Sequence, residues 1–253
     1  MTSEGDAGVW AALTKWIKRK APQLAQYEFS DNDDEVIGIG QASTRVYRAT
    51  KRDTTEEFAI KVIHRKALSD DKVVEVKREM EIMRSLKAIP HENLVMFHEA
   101  FEDAKNFYIV MEIMDGGELF DQIAKRGSFT ERDACIVMKQ IGSAVQHLHS
   151  HGYIHRDIKP ENVLCAIPDS LELVKLCDFG MTKNISEDIA RTPCGTVNFV
   201  APEVVLKHGE TVATRKGYSF KADMWSIGVL MFMVYAHSPC SSTKILCLFC
   251  CYL

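Results

Sequence analysis

Eight consecutive residues carry the densest chemistry in the chain: His155-Arg156-Asp157-Ile158-Lys159-Pro160-Glu161-Asn162. They set carboxylates, an ammonium and an amide close together, and Pro160 keeps the stretch from forming a regular helix. Sixteen residues after Asn162 comes a second acidic point, Asp178-Phe179-Gly180. A carboxylate to take a proton, a lysine to hold an anion, and an Asn and an Asp to hold a divalent cation are the parts that phosphoryl transfer uses. Short apolar runs flank both stretches: Tyr153-Ile154 and Val163-Leu164 around the first, Val174 and Leu176 before the second. The pattern predicts polar loops held by short buried strands. Either stretch alone could be a charged surface loop; both in this order point to a site.

These stretches resemble the catalytic loop and the metal-binding motif of eukaryotic protein kinases. The resemblance implies that Asp157 orients a substrate hydroxyl and accepts its proton, and that Lys159 holds the transferring phosphoryl group. It implies ATP as donor and Mg2+ as the ion, held by Asn162 and Asp178. Lys159 in the loop favours Ser or Thr over Tyr as acceptor. Glu118 and Glu161 are acidic where kinases that prefer basic substrates are acidic.

Upstream, Val36 to Tyr47 reads as strand, tight turn, strand. Gly38 and Gly40 let the backbone approach phosphates, although Ser43 stands at the third position of the kinase Gly-rich loop. Phe58-Ala59-Ile60-Lys61 reads as a strand with one Lys in an apolar run, and such a Lys needs a partner or an anion. By resemblance Lys61 holds the α and β phosphates, and Ile37, Val46, Ala59 and Leu164 join it in the ATP-binding set. The apolar strand from Phe107 to Met111 is expected to be central. Glu112 to Glu118 then resembles the hinge between lobes, with Met111 guarding the pocket behind the adenine. Backbone groups at Glu112 and Met114 would hydrogen-bond the adenine, and Glu118 would reach the ribose or a basic substrate residue.

Two helices are expected to support these loops. Residues 70 to 87 carry an apolar stripe of Val73, Val76, Met80 and Met83. Glu79 lies beside that stripe, and the resemblance makes it the partner of Lys61 and part of the ATP-binding set, with Glu75 and Glu81 as competitors. Residues 130 to 151 have Thr130 as N-cap, Asp133 to complete a capping box, and an apolar face of Ile136, Ile141, Val145 and Leu148. Cys165 to Lys175 is expected to turn as a hairpin around Pro168-Asp169-Ser170. Asp178 to Glu203 resembles an activation segment ending in Ala201-Pro202-Glu203. Thr192 is its phosphosite candidate, since a phosphate there could pair with Arg156, and Pro193 would suit an upstream proline-directed kinase. Thr196 is expected to line the acceptor site. Thr192-Pro193-Cys194 and Asn198-Phe199-Val200 resemble the calmodulin-dependent-kinase group, most closely kinases activated by MAP kinases. Asp223, at the start of a third helix, resembles the residue that braces the catalytic-loop backbone.

The whole reads as an α+β, bilobal protein kinase fold: a small β-rich lobe over 27–111 and a hinge with a mainly helical lobe over 112–237. An extension (1–26) precedes it, with a short amphipathic helix expected over 7 to 20, and an apolar, Cys-rich tail (238–253) follows. The resemblance ends near His237, where the family continues for several helices, so the second lobe is expected to lack its last helices and to expose part of the third helix. The 253 residues carry a net charge of -4, which gives no basic field for nucleic acid. No apolar run reaches the about 18 residues that a membrane span needs. Cys250-Cys251-Tyr252-Leu253 matches a prenylation box poorly, so membrane contact by the tail is not expected. The 8 cysteines form no zinc-type pattern, and Cys135, Cys165 and Cys177, in apolar stretches, read as reduced core thiols, which suggests cytoplasm or nucleus. Protein substrates are the expected partners. The rival expectation is a shortened, non-catalytic form that binds nucleotide or kinase partners.

Overall fold

A computed structural model describes residues 22–29, 36–40, 44–126, 129–186, 190–205, 211–212 and 217–236. The helix expected over 7 to 20, Ser43 and the tail from 238 onward lie outside the described residues. The chain divides into two compact units, Met1–Ala88 with Met96–Ile113, and Ile89–Val95 with Met114–Leu253. Ile89–Val95, within the 27–111 span expected for the first lobe, folds with the second unit for a physical reason. Val95 N donates to Leu176 O, Leu176 N donates to Asn93 O, and His147 Nε2 bonds Ile89 O.

The first unit is built on a six-stranded antiparallel sheet. Its strands are β1 (Tyr27–Glu28), β2 (Val36–Ile39), β3 (Arg45–Lys51), β4 (Glu57–His64), β5 (Phe97–Glu102) and β6 (Asn106–Glu112). Their order is β1-β3-β4-β6-β5, with β2 also paired to β3. The apolar run in β6 takes an interior place, with residues from Asn106 to Val110 all buried, as expected. In β4 the two-residue period sends Phe58, Ile60 and Val62 into one core with Leu24, Tyr27, Tyr47, Tyr108 and Val110. That leaves Ala59 and Lys61 on the opposite face. The helix α1 (Asp70–Leu86) begins with two acids that suit its positive end. It buries Val76, Glu79, Met80, Met83 and Leu86; Val73, expected in the stripe, is only half-buried. Arg84 and Lys87 tie the end of α1 to the carbonyls of Ala100 and His98 in β5.

The second unit holds α2 (Leu119–Arg126), α3 (Glu131–Ser150) and α4 (Lys221–Ala236). Two short antiparallel pairs accompany them: β7 (Tyr153–Ile154) with β10 (Lys183–Asn184), and β8 (Val163–Cys165) with β9 (Val174–Leu176). The capping box is formed, with Asp133 N donating to Thr130 Oγ1 at 3.1 Å and Thr130 N to Asp133 Oδ2 at 3.0 Å. The Thr130 hydroxyl, donating to Asp133 Oδ2 at 2.8 Å, and then the Thr130 backbone N–H hold the Asp133 carboxyl below its usual range. The buried face of α3 is Ala134, Val137, Ile141, Ala144, Val145 and Leu148. Ile136 is exposed, contrary to expectation, because at 100° per residue it falls well off the stripe through Val137, Ile141 and Leu148. The β8–β9 hairpin forms in register Val163 to Leu176, with Asp169 at φ 55° in the turn. α4 is apolar on nearly every side; Val229, Leu230 and Val234 are buried while Met224, Met231 and Tyr235 are exposed. Within this helix, expected to be partly uncovered, Leu230 is buried, Trp225, Phe232 and Met233 are half-buried, and Met231 is exposed. Among the described residues no helix is long and apolar enough to cross a membrane.

Candidate active site

The first unit gathers part of the candidate set on one face of its sheet. Gly38 pairs with Val46 across β2 and β3, and Val46 with Lys61 across β3 and β4. Residues directly opposite share a face, and Ala59 shares it with Lys61 two positions on. Ala59 in turn lies opposite Met111 of β6. Lys61 Nζ meets Glu79 Oε1 at 2.6 Å, with side chains 18% and 9% exposed. Glu75 instead pairs with Lys72 at the solvent edge, and Glu81 is exposed, so the fold selects Glu79 among the three carboxylates. Ile37 and Gly40 are exposed and Val46 is half-buried. At Glu112 the backbone N–H is used by Met96 O (3.0 Å), and Oε1 accepts from Met96 N. Met114 begins the second unit and is half-buried.

The second unit holds the polar loop. Asp157 is nearly buried and is gripped from several sides. Thr196 Oγ1 donates to its Oδ1 at 2.8 Å, Asn162 Nδ2 to its Oδ2 at 3.0 Å, and Lys159 Nζ lies 3.0 Å from Oδ2. Lys159 Nζ also donates to Thr196 Oγ1 at 3.0 Å. One hydroxyl thus sits between the candidate base and the candidate phosphoryl-holding lysine, where an acceptor hydroxyl would be needed. Gly195 makes this approach possible: its φ is 100°, and a Cβ there would lie 2.6 Å from the Arg156 carbonyl oxygen.

The loop backbone is held from beneath. Asp223 is fully buried; its Oδ2 accepts from His155 N at 2.9 Å and its Oδ1 from Arg156 N at 2.8 Å. His149 Nε2 bonds the same Oδ2 at 2.8 Å. This clamp holds Arg156 at φ 74°, a left-handed conformation that costs a non-glycine residue of the order of 1 kcal/mol or more. His155 is fully buried; its Nδ1 accepts from Asp157 N and its Nε2 reaches Cys177 O at 3.1 Å, which defines a neutral ring. Burial pushes its pKa down, against the pull of Asp223, Asp178 and Asp157.

Both Asn162 amide hydrogens go to Asp157, one to the backbone oxygen at 2.7 Å and one to Oδ2, which turns Oδ1 away from them. Cys177 N donates to Asn162 O at 2.9 Å, so the residue before Asp178 is tied to the loop. Asp178 is exposed and left-handed at φ 59°. An amide oxygen and a carboxylate are hard donors that fit a small divalent cation sharing phosphate oxygens. Among the described residues no group of three or more His, Cys, Asp or Glu could hold a metal alone.

Glu118 and Leu164 form an isolated antiparallel bridge, supported by Gly116 N to Cys165 O and Cys165 N to Gly117 O. Partial burial, then Asp121 and Glu161, push the Glu118 carboxyl up, while Lys159 pulls it down. Thr192 is exposed. Arg156 donates from Nε to Met181 O and from Nη1 to the Tyr218 hydroxyl, which itself donates to Thr192 O. Sequence reasoning missed Tyr218 and His149, because each acts through fold contacts 24 or more residues away and neither stands in a dense polar motif.

The protein kinase domain family matches residues 32–246. A probable myosin light chain kinase of Dictyostelium discoideum is 40% identical over 227 residues, covering 88% of this chain and 54% of that protein. Calcium/calmodulin-dependent protein kinase type 1 of Macrobrachium nipponense is 37% identical over 205 residues, 81% of this chain and 56% of that protein. Myosin light chain kinase A of Dictyostelium discoideum is 38% identical over 214 residues, 84% of this chain and 67% of that protein. The chain thus spans between half and two thirds of the length of these relatives. With its curled antiparallel sheet, its helical second unit and a matched region reaching across both, the chain belongs to the protein kinase domain family, among the serine/threonine kinases of the calmodulin-dependent-kinase group.

Proposed function

We propose that this chain transfers the γ-phosphoryl group of ATP to Ser or Thr hydroxyls of proteins. The observation that carries the reading is Thr196 Oγ1, held between Asp157 Oδ1 and Lys159 Nζ. A substrate hydroxyl in a similar place would give its hydrogen to Asp157, whose two carboxylate oxygens accept from Thr196, Asn162 and Lys159. Asp157 orients that oxygen for attack on the γ-phosphorus and takes its proton as the bond to the β-phosphate oxygen breaks. Lys159 neutralises charge on the phosphoryl oxygens during the transfer. Lys61, held by Glu79, binds the α and β phosphates, and Gly38, Val46 and Ala59 beside it belong to the same nucleotide-binding face. Asn162 and Asp178 would hold Mg2+, which when bound supplies charge neutralisation on the phosphates.

Partial burial and then the neighbouring Asp121 and Glu161 raise the cost of ionising Glu118, and this acidic neighbourhood supports a preference for basic residues near the acceptor. Exposed Thr192 remains the candidate for phosphorylation by an upstream proline-directed kinase, with the Arg156 guanidinium one hydroxyl away. The narrower likeness to kinases activated by MAP kinases belongs to the same proposal. The unbridged thiols of buried Cys165 and half-buried Cys194, and of Cys135, which is exposed rather than in the core as expected, support a reducing compartment, cytoplasm or nucleus. The test is incorporation of labelled phosphate from ATP into basic Ser and Thr peptides by the purified chain, beside Asp157→Asn. Transfer by the first and none by the second is expected; equal signals, or none from either, would mean a non-catalytic binder.

A further inference from the structure

Tyr218 stands outside every motif described so far, in the turn that leads into α4. Its backbone N–H donates to Ala190 O at 2.9 Å, and its ring packs with Ile154, Ala190, Ala201, Val204 and Ala222. Only 7% of the residue is exposed. Its hydroxyl donates to Thr192 O at 2.8 Å, accepts from Arg156 Nη1 at 3.1 Å, and lies 3.4 Å from Cys194 Sγ. A phenol has one hydrogen and two acceptor positions. With the hydrogen on the Thr192 carbonyl, the Cys194 thiol must be the donor, and the oxygen is fully used. Burial, offset by the Arg156 charge, pushes the phenol pKa up to about 12, so the hydrogen stays in place at any working pH.

Three segments meet at this one oxygen: the catalytic loop through Arg156, the activation segment through Thr192 and Cys194, and the approach to α4. The contact lies within two residues of Asp157 on one segment and of Thr196 on the other. Arg156 immediately precedes Asp157. Cys194 is separated from Thr196 by Gly195, which is pressed against the Arg156 carbonyl. A shift of Cys194 relative to Arg156 therefore has no slack to absorb it before it reaches Thr196.

We propose that Tyr218 is a positioning residue for the acceptor side of phosphoryl transfer: its hydroxyl fixes Thr192–Cys194 against Arg156, and so sets where Thr196 meets Asp157 and Lys159. The proposal rests on the kinase reading above. It differs from a merely structural role for the ring, because the ring packs through carbon and the positioning runs through oxygen.

Tyr218→Phe separates the two, since it keeps the ring and removes the oxygen. In the full chain, kcat/KM for a Ser peptide should fall by about tenfold or more, since small misplacements at a reacting centre are expensive. The KM for ATP should stay within about twofold, and ATP hydrolysis without peptide should fall far less than peptide transfer, because water needs no placed acceptor segment. Hydrogen exchange at residues 192–199 should speed up while α3 is unchanged. Equal losses of peptide transfer and hydrolysis would overturn the proposal, as would unchanged transfer. If the parent chain phosphorylates nothing, the kinase reading fails on its own, and exchange decides Tyr218: faster exchange confined to 192–199 upholds its positioning of the segment, and unchanged exchange overturns it.

Discussion

Two lysine–carboxylate pairs, one in each unit, show how differently the same chemistry can be held. Lys61 and Glu79 meet at 2.6 Å, and Lys159 and Asp157 at 3.0 Å. The first pair joins a strand to a helix across 18 residues of sequence, and among the described residues Glu79 makes no other polar contact. Its geometry exists only while α1 keeps its place. The second lies within one loop, and Asp157 has Asn162 and Thr196 as further partners while Asp223 clamps the backbone before it. The shorter pair is therefore the more dependent one. Distance measures the contact; the number of independent restraints measures how firmly it stays.

The sharpest way to break that comparison is at Asp157. Asp157→Asn should lower peptide phosphorylation by about 10²–10⁴-fold, while the thermal midpoint moves little, because the amide oxygen can still accept from Thr196. Loss of the fold together with activity would mean that the loop's restraints are not redundant. Next comes Glu79→Ala, which leaves a half-buried ammonium and should cost about 2 kcal/mol or more in chemical denaturation, the full buried-pair penalty being reduced by the water that Lys61 keeps. Lys61→Met with Glu79→Leu should recover most of that stability and none of the transfer, and a double mutant as unstable as Glu79→Ala would show that packing, not charge, holds α1.

Thr196→Val removes the hydroxyl shared by Asp157 and Lys159. A lost hydrogen bond to a charged group is worth about 1.5–3 kcal/mol, so transfer should fall by roughly tenfold to a hundredfold, less than in Asp157→Asn. His155 supplies a pH test of the second unit. Its folded pKa is depressed below 6.5, so its neutral form favours folding above that value, and the contribution is lost as pH falls from 6.5 through the folded pKa. Thermal midpoints between pH 7 and 5 should fall in the parent chain and fall less in His155→Tyr. The smallest effect belongs to Thr130→Ala, which removes the cap of α3 and should cost about 1 kcal/mol with transfer per folded molecule unchanged.

Much of this was legible in the chain. The polar loop, the Lys61 strand, the capping box of α3 and the β8–β9 turn all rest on local chemistry: a proline, an alternation, a Thr–Asp spacing. Glu79 could be narrowed to three carboxylates but not chosen, since Glu75 and Glu81 lie on the same helix and only its packing decides which one faces Lys61. Ile136 was misplaced because an apolar residue near a stripe looks like a member of it until the rotation of the helix is known. Tyr218 and His149 left no readable signal, since a tyrosine before a helix and a histidine near a helix end are common in any globular domain.

The sequence by itself determined the kind of chemistry, because residue types within a few positions of one another cannot be separated by folding. Asp157, Lys159 and Asn162 share a loop in any fold that spares it. Tertiary structure alone decided which distant groups complete that loop: Asp223 beneath it, Thr196 across it, Tyr218 beside it. Those contacts span 37 to 68 residues, and no local propensity encodes them. They exist because α3, α4 and the short strand pairs bury their apolar faces together, and burial brings the polar groups with it.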